Sequence, residues 1–161
     1  MAIVLSMLFM VSILPAIPAF AAYEGSCGEG VTYLFDQSTG TLTISGNGKM
    51  KNYYNETPWC FDRSLIKSVT IENGVTEIGF RAFYGCSGLT SVTISSSVTE
   101  IGEDVFVNCI NLESVNYLGN TEPEHEEEEY IFSGCIRLSS VNVTADYEGD
   151  NFCGMPVVRE H

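Results

Sequence analysis

Few residues in this chain have the types and the spacing that catalytic chemistry needs. Histidine occurs twice, as His125 inside an acidic run and as His161 at the last position. A general base for an activated serine or cysteine would have to be one of these two side chains. The chain also has no H-E-x-x-H, C-x-x-C, G-x-G-x-x-G, P-loop or G-x-S-x-G motif. We therefore predict that the protein is not an enzyme and that it uses no cofactor.

An acidic run, EPEHEEEE, occupies residues 122–129. Clustered carboxylates are the ligands that calcium prefers, so the run raises the hypothesis of a calcium site. It lacks the D-x-D-x-D-G spacing of a calcium loop, and consecutive glutamates of an extended loop point away from one another. We favour a solvated acidic loop and predict no metal site, with an exported calcium-dependent binding protein as an alternative.

The net charge excludes two classes of partner. The chain has 21 Asp and Glu against 7 Lys and Arg, which gives a formal net charge of −14. Such a charge repels nucleic acid and anionic lipid surfaces, so neither is an expected partner.

The first 22 residues have the layout of a secretory signal peptide. They carry no charge, run apolar from Ala2 to Leu14 and end in small residues, with cleavage expected before Ala22 or Tyr23. An uncleaved membrane anchor is the alternative. No later apolar stretch is long enough to cross a membrane. We predict a secreted or cell-surface protein whose mature chain has no membrane span, in a compartment that permits disulfides.

An internal repeat predicts the fold that would position the histidine and the acidic run described above. The segments SVTIENGVTEIGFRAFYGC at 68–86 and SVTISSSVTEIGEDVFVNC at 91–109 are nearly the same, and a third copy is lengthened within NTEPEHEEEEY at 120–130. A repeat of this length predicts a solenoid, because one coil cannot bury its apolar side alone and needs a stacked neighbour. Phe83, Phe106 and Phe132 are then expected to lie over one another in one buried column.

Each coil begins with a strand of the form L-x-x-L-x-L, in which apolar residues alternate with Ser, Thr or Asn. This alternation predicts one buried and one wet face, and we expect four such strands to pair in parallel. The VTEIG segments at 75–79 and 98–102 predict a second short strand. The segments FRAFYGC at 80–86 and EDVFVNC at 103–109 then predict one helical or 3₁₀ turn.

The repeat also places Cys86, Cys109 and Cys135 in a column. Either they form a ladder of buried free thiols, or neighbouring rungs are joined by disulfides. Equivalent side chains of neighbouring coils point the same way instead of toward each other, which favours free buried thiols.

The patterns L-x-x-V-x-I, S-V-T-x-I-G and A-F-x-x-C together resemble the BspA-type (Treponema-type) leucine-rich repeat, which occurs in surface proteins of oral and gut bacteria and of some parasitic protists. The resemblance covers residues 64–143. It implies a leucine-rich-repeat solenoid that is mostly β, with short parallel strands and short helical or 3₁₀ turns, preceded by a β-hairpin N-terminal cap. It also implies adhesion to host cells or extracellular matrix proteins.

Both ends of a solenoid would expose apolar surface and unpaired strand edges, so each end needs a cap. At the front, VTYLFD and TLTISG flank QSTG and predict a β-hairpin, with Trp59 and Phe61 packed in the cap. Cys27 and Cys60 bracket this segment and are the candidate disulfide. The predicted organisation is a signal peptide at 1–22, a β-rich cap at 23–63, leucine-rich repeats at 64–143 and a C-terminal cap or tail at 144–161, in which Cys153 extends the cysteine ladder or stays a free thiol.

The polar side chains on the wet face of the repeat strands should stand in rows. Such a face is either a recognition surface or a plain solubilising surface, and we take it as the candidate interaction face. Its predicted members are Ser68, Thr70, Ser91, Thr93, Ser114, Asn116, Ser140 and Asn142.

These features predict a secreted or cell-surface interaction module with a protein partner on host cells or in the extracellular matrix. A structural surface antigen with no fixed ligand is the alternative. Binding of the purified mature chain to coated surfaces separates the two hypotheses.

Overall fold

The computed structural model describes residues 22–125 and 131–160. Residues 1–21 of the predicted signal peptide lie outside this part of the chain, as do Glu126 to Glu129 of the acidic run and His161. The described strands, in chain order, are β1 (Tyr23–Gly28), β2 (Val31–Asp36), β3 (Thr41–Gly46), β4 (Gly48–Lys49), β5 (Ser68–Ile71), β6 (Val75–Ile78), β7 (Ser91–Ile94), β8 (Glu100–Ile101), β9 (Ser114–Tyr117), β10 (Val141–Val143), β11 (Asn151–Phe152) and β12 (Met155–Arg159).

Nine strands form one sheet, in the order β1-β2-β3-β5-β7-β9-β10-β12-β11. Strands β5, β7 and β9 pair in parallel in the register of the repeat, so that Val69 lies beside Val92 and Val92 beside Val115. Alternate residues of these strands are buried, because the pleat points every second side chain into the core. Strand β10 pairs in parallel with β9 as the fourth repeat strand. The predicted parallel pairing is confirmed.

A smaller sheet, β4-β6-β8, contains the VTEIG segments of the first two coils. Glu77 lies beside Glu100 and Ile78 beside Ile101, with both isoleucines buried. In the third coil an isolated bridge between Glu100 and Glu124 continues this pairing. Each coil therefore has two strand positions, and the chain is a β-solenoid.

The segments after the second strand form hydrogen-bonded turns instead of the predicted helical turn. Arg81 has a φ of 54° and Asp104 a φ of 56°, which a right-handed helix does not allow. The amides of Arg81 and Phe83 donate to the carbonyls of Glu103 and Val105 in the next coil, at 3.0 Å each. The amides that alternate with them bond within the coil, as when the Tyr84 amide donates to the Arg81 carbonyl at 3.2 Å. Bonds between coils thus alternate with single turns, and no continuous helix forms. The single helical element among the described residues is a 3₁₀ turn at Cys60–Asp62.

One aromatic column runs through the core. The rings of Phe83 and Phe106 stack with centroids 5.4 Å apart and planes at 12°, and those of Phe106 and Phe132 with centroids 5.5 Å apart and planes at 2°. The predicted column is confirmed, and Trp59 extends it toward the front at 5.7 Å and 17° from Phe83.

The cysteines of the repeat lie next to this column. Cys86, Cys109 and Cys135 are all buried. The Cys109 thiol donates to the Phe83 carbonyl at 3.2 Å, and the Cys135 thiol donates to the Phe106 carbonyl at 3.1 Å. All six cysteines lie among the described residues, and Cys27, Cys60, Cys86, Cys109 and Cys135 are free thiols.

The structure does not contain the predicted disulfide between Cys27 and Cys60. Cys27 ends up fully buried near the end of β1, where its carbonyl accepts a hydrogen bond from the Lys51 amide at 2.8 Å. Cys60 begins the 3₁₀ turn, and its thiol lies 3.7 Å from Glu56 Oε2. The prediction was wrong because bracketing in sequence does not bring the two side chains into the same surroundings.

The front end of the solenoid is closed by β1, β2 and β3, an antiparallel meander in which the predicted β2–β3 hairpin is present. Strand β3 then pairs in parallel with β5 and so joins the cap to the first coil. Trp59 is fully buried and its Nε1 donates to the Ala82 carbonyl at 3.0 Å. Phe61 is 89% exposed, so its predicted packing in the cap is wrong: the 3₁₀ turn directs it away from the core while Trp59 points in.

The rear end is closed by a short antiparallel hairpin, β11–β12. Strand β12 returns to pair in parallel with β10, which covers the last repeat strand. Phe152 packs against Phe132 with centroids 6.4 Å apart and planes at 43°, so the stacking of the column ends here. Cys153 lies at the tip of the hairpin and does not extend the cysteine ladder.

Candidate interaction surface

The outward face of the nine-stranded sheet carries the predicted interaction residues. Ser68, Ser91 and Ser114 pair in register as one row, and all are partly exposed. A second row pairs Thr70, Thr93, Asn116 and Asn142. Ser140 immediately precedes β10 and lies outside the strand. The structure thus places seven of the eight predicted residues on four adjacent strands.

Hydrogen bonds link neighbouring members of these rows. Asn142 Nδ2 donates to Asn116 Oδ1 at 2.8 Å, and the Ser68 hydroxyl donates to Thr41 Oγ1 at 3.2 Å. These bonds run from strand to strand, so they hold the side chains in the spacing of the sheet.

The sequence prediction missed the extension of the outward face onto the two caps. Thr41 and Thr43 of β3 lie beside Ser68 and Thr70, and Val158 of β12 lies beside Asn142. TLTI in β3 has the same alternation as SVTI in β5, which could have predicted the extension at the front. The sequence MPVVR of β12 does not resemble a repeat strand, so the extension at the rear could not be predicted from the sequence.

The part of the outward face formed by β3, β5, β7, β9 and β10 is uncharged, although the chain carries a formal charge of −14. The outward-facing residues of β3, β5, β7, β9 and β10 are Ser, Thr or Asn. Hydroxyl and amide groups both donate and accept hydrogen bonds, so the face can match polar groups of a protein partner without a requirement for opposite charge.

A second surface, the acidic groove, lies along the smaller sheet and encloses about 400 Å³. Lys49 Nζ lies 2.6 Å from Glu77 Oε2 and 3.2 Å from Glu100 Oε2, which leaves the groove with more carboxylates than cations. Such a groove suits a cationic group better than a neutral one. The side chains that line it include Glu77, Glu100, Glu103, Glu124, His125, Tyr54 and Phe80.

Three potential metal ligands meet at the rear end, and we call them the Glu122–His125–Cys153 cluster. One ligand atom from each residue lies within 4.8 Å of the other two. Glu122 Oε1 is 3.2 Å from His125 Nε2 and accepts a hydrogen bond from the Cys153 amide at 2.6 Å. Thirty-one positions separate Glu122 from Cys153, so no local spacing in the sequence predicts their contact.

The buried thiols of Cys27, Cys86 and Cys109 are poor nucleophiles. Burial raises the pKa of Cys86 to about 12 and that of Cys27 to about 11. A hydrogen bond with Cys135, together with burial, raises the pKa of Cys109 above its usual range. Because the thiolate is the reactive form, these side chains act as packing groups at neutral pH.

The comparisons with known proteins agree with this architecture. The family described as "BspA type Leucine rich repeat region" matches residues 57–151 in six copies. A leucine-rich repeat protein from Eubacterium ventriosum, known from a crystal structure, is similar in fold with a TM-score of 0.54 at 20% sequence identity. The alignment covers 88% of this chain and 41% of that one, so this chain spans less than half the length of its structural relative. No curated protein matches the chain.

Across residues 22–125 and 131–160 there is no helix with the length and hydrophobicity that a membrane crossing requires.

Proposed function

The chain belongs to the BspA-type leucine-rich repeat family, and on that premise we propose that it is a secreted or cell-surface module that adheres to host cells or extracellular matrix proteins. Leucine-rich repeats generally act as protein-binding modules, in which stacked coils present one extended surface. The predicted signal peptide is consistent with export.

The register of the outward face is the observation that carries the proposal. Polar residues of four repeat strands pair side by side, and the cap strand β3 continues the same rows. The sheet fixes these side chains before a partner arrives, so binding costs less conformational entropy than it would for a mobile loop. Neutral residues at the centre of the face also fit the depletion of charge at the centres of protein interfaces.

The test is binding of the mature chain, residues 23–161, to surfaces coated with fibronectin, laminin, collagen or cultured cells. Thr93→Glu introduces a charge at the centre of the outward face. Thr99→Glu introduces the same charge in the same coil but off that face, and Thr99 is exposed. We expect Thr93→Glu to weaken binding by about tenfold or more, and Thr99→Glu to leave it unchanged, because an unpaired charge at the centre of an interface is costly.

Three results would contradict the proposal. Equal loss in both variants would move the binding site off the outward face. Absence of binding to every surface would favour the structural surface antigen. Loss of binding in a calcium chelator, with no effect of Thr93→Glu, would favour the calcium-dependent alternative.

A further inference from the structure

We propose that the Glu122–His125–Cys153 cluster is a binding site for a divalent transition metal, with Zn²⁺ as the ion that best fits its ligands. The cluster combines a carboxylate, an imidazole and a thiol, which are the three side-chain types that bind zinc in proteins. This site would lie at the rear end of the solenoid, away from the repeat strands of the outward face.

The ligand atoms are already close to a coordinating arrangement. Zinc bonds of 2.0–2.3 Å place tetrahedral ligands roughly 3.3–3.8 Å from one another. Glu122 Oε1 and His125 Nε2 are 3.2 Å apart, and no pair in the cluster is farther apart than 4.8 Å. Side-chain rotations that move the ligand atoms by about 1 Å are therefore enough to bring all three within bonding distance of one ion.

Two separate elements hold the ligands in place. Between Glu122 and His125, the Glu124 backbone is fixed to the second coil: its amide donates to the Thr99 carbonyl at 2.8 Å and its carbonyl accepts from the Ile101 amide at 2.9 Å. Cys153 sits in the β11–β12 turn with a φ of 48°, followed by Gly154 with a φ of 76°. Two consecutive residues with positive φ are typical of a tight hairpin turn, which fixes the direction of the Cys153 side chain.

The ligand types discriminate between metals. Calcium takes oxygen ligands and has no preference for a thiol or an imidazole, so the cluster is a poor calcium site. Thiolate and imidazole favour zinc and its neighbours in the first transition row. The three side chains leave a fourth position for water or for a group of a partner, and the partly exposed side chains of Glu122 and His125 give the ion access from solvent.

A bound ion would join the widened third coil to the C-terminal hairpin. The last coil gains the most from such a link, because Phe132, Cys135 and Leu138 retain 7–8% exposure, whereas Phe83, Cys86 and Leu89 are fully buried. His125 also lines the acidic groove, so the ion would sit at the edge of that groove.

The experiment uses the mature chain, reduced and stripped of metal with a chelator that is then removed. Zn²⁺ is titrated by calorimetry, and Co²⁺ replaces it for absorption spectroscopy. We expect one ion per chain, a thiolate-to-cobalt charge-transfer band, and a melting temperature raised by roughly 5 °C in excess Zn²⁺. Cys153→Ser should abolish the band and weaken Zn²⁺ binding by at least about tenfold.

The matched control is Cys60→Ser, which removes a partly exposed free thiol from the other end of the solenoid. It should keep both the band and the affinity. His125→Gln tests the imidazole independently and should weaken binding by a similar factor, and circular dichroism of each variant checks that the fold is retained. Absence of saturable binding, or binding that Cys153→Ser and His125→Gln leave unchanged, would overturn the proposal.

Discussion

The two ends of the solenoid are closed in different ways. At the front, three antiparallel strands continue the large sheet and Trp59 stacks directly on Phe83. At the rear, the two-stranded β11–β12 hairpin covers the last coil, and Phe152 meets Phe132 at an inclined angle. The equivalent phenylalanine is 0% exposed in the first coil and 8% exposed in the last.

The difference shows that coils with similar sequences need not be equally stable. Identical coils have the same local interactions, and their stability depends on what covers them. The front depends on apolar packing, whereas the rear adds a polar cluster of Glu122, His125 and Cys153 to a thinner cap. We therefore expect the front to respond mainly to packing mutations and the rear to the conditions around that cluster.

The largest expected effect comes from truncating matched rings of the column. Phe83→Ala should lower the free energy of unfolding by about 4–5 kcal/mol, and Phe132→Ala by about 3 kcal/mol, because the rear site is partly open to solvent and can relax. Urea denaturation followed by circular dichroism measures both. Equal losses would show that the rear is packed as tightly as the front.

Two hairpin glycines provide a second matched pair. Gly40 in the front hairpin has a φ of 73°, and a Cβ there would lie 2.7 Å from the Leu65 carbonyl oxygen. Gly154 in the rear hairpin has a φ of 76° and would meet nothing within 4 Å. Gly154→Ala should cost about 1 kcal/mol of stability from backbone strain, and Gly40→Ala about 2–3 kcal/mol from strain and collision together. Thermal unfolding would show the order, and a greater loss for Gly154→Ala would contradict it.

Alkaline pH should destabilise the front and the coil next to it. The folded pKa is raised to about 11 for Cys27 and about 12 for Cys86, from an ordinary value of 9.0. Stability from these protonated thiols is complete below about pH 9 and is lost as the pH rises toward the folded pKa values, by about 1.4 kcal/mol per pH unit for each thiol that ionises only on unfolding.

Urea midpoints measured between neutral pH and about pH 10.5 test this expectation. Cys86→Ala should make the profile shallower, and Cys60→Ala should leave its slope unchanged. A profile that Cys86→Ala does not alter would assign the alkaline loss to other groups.

The smallest expected effect comes from ion pairs on the surface between the two ends. Arg81 Nη2 lies 3.0 Å from Asp104 Oδ2, and both side chains are partly exposed. Arg81→Gln should change the free energy of unfolding by less than about 1 kcal/mol, since exposed pairs are screened and entropically costly. Chemical denaturation at low and high salt checks this, and a loss as large as that of Phe132→Ala would refute the view that packing at the ends sets stability.

The repeat made the coils predictable, and departures from the repeat limited the prediction. Phe83, Phe106 and Phe132 recur at equivalent positions, so their column followed from stacking alone. Trp59 has no counterpart at that spacing, and its place above Phe83 could not be assigned. The sequence of residues 80–86 is compatible with a turn or a short helix. The hydrogen bonds of the Arg81 and Phe83 amides to the next coil favour the turn.

Interactions between segments distant in sequence explain the remaining misses. Strands β2 and β3 of the front meander lie between Cys27 and Cys60 in the chain, and only the folded structure shows that the two side chains have different surroundings. The outward rows were predictable because alternation defines which side chains share a face. The Glu122–His125–Cys153 cluster was not, because a turn outside the repeat brings Cys153 to the acidic run.

The chain has one tryptophan, and its indole is fully buried at the front, edge-on to Tyr33 and Tyr53. Its fluorescence is therefore a built-in optical reporter of that end alone. If the rear hairpin detaches first on heating, the circular dichroism signal will change while the tryptophan emission spectrum stays constant. The difference between the two transition temperatures will then show that the rear coils unfold before the front.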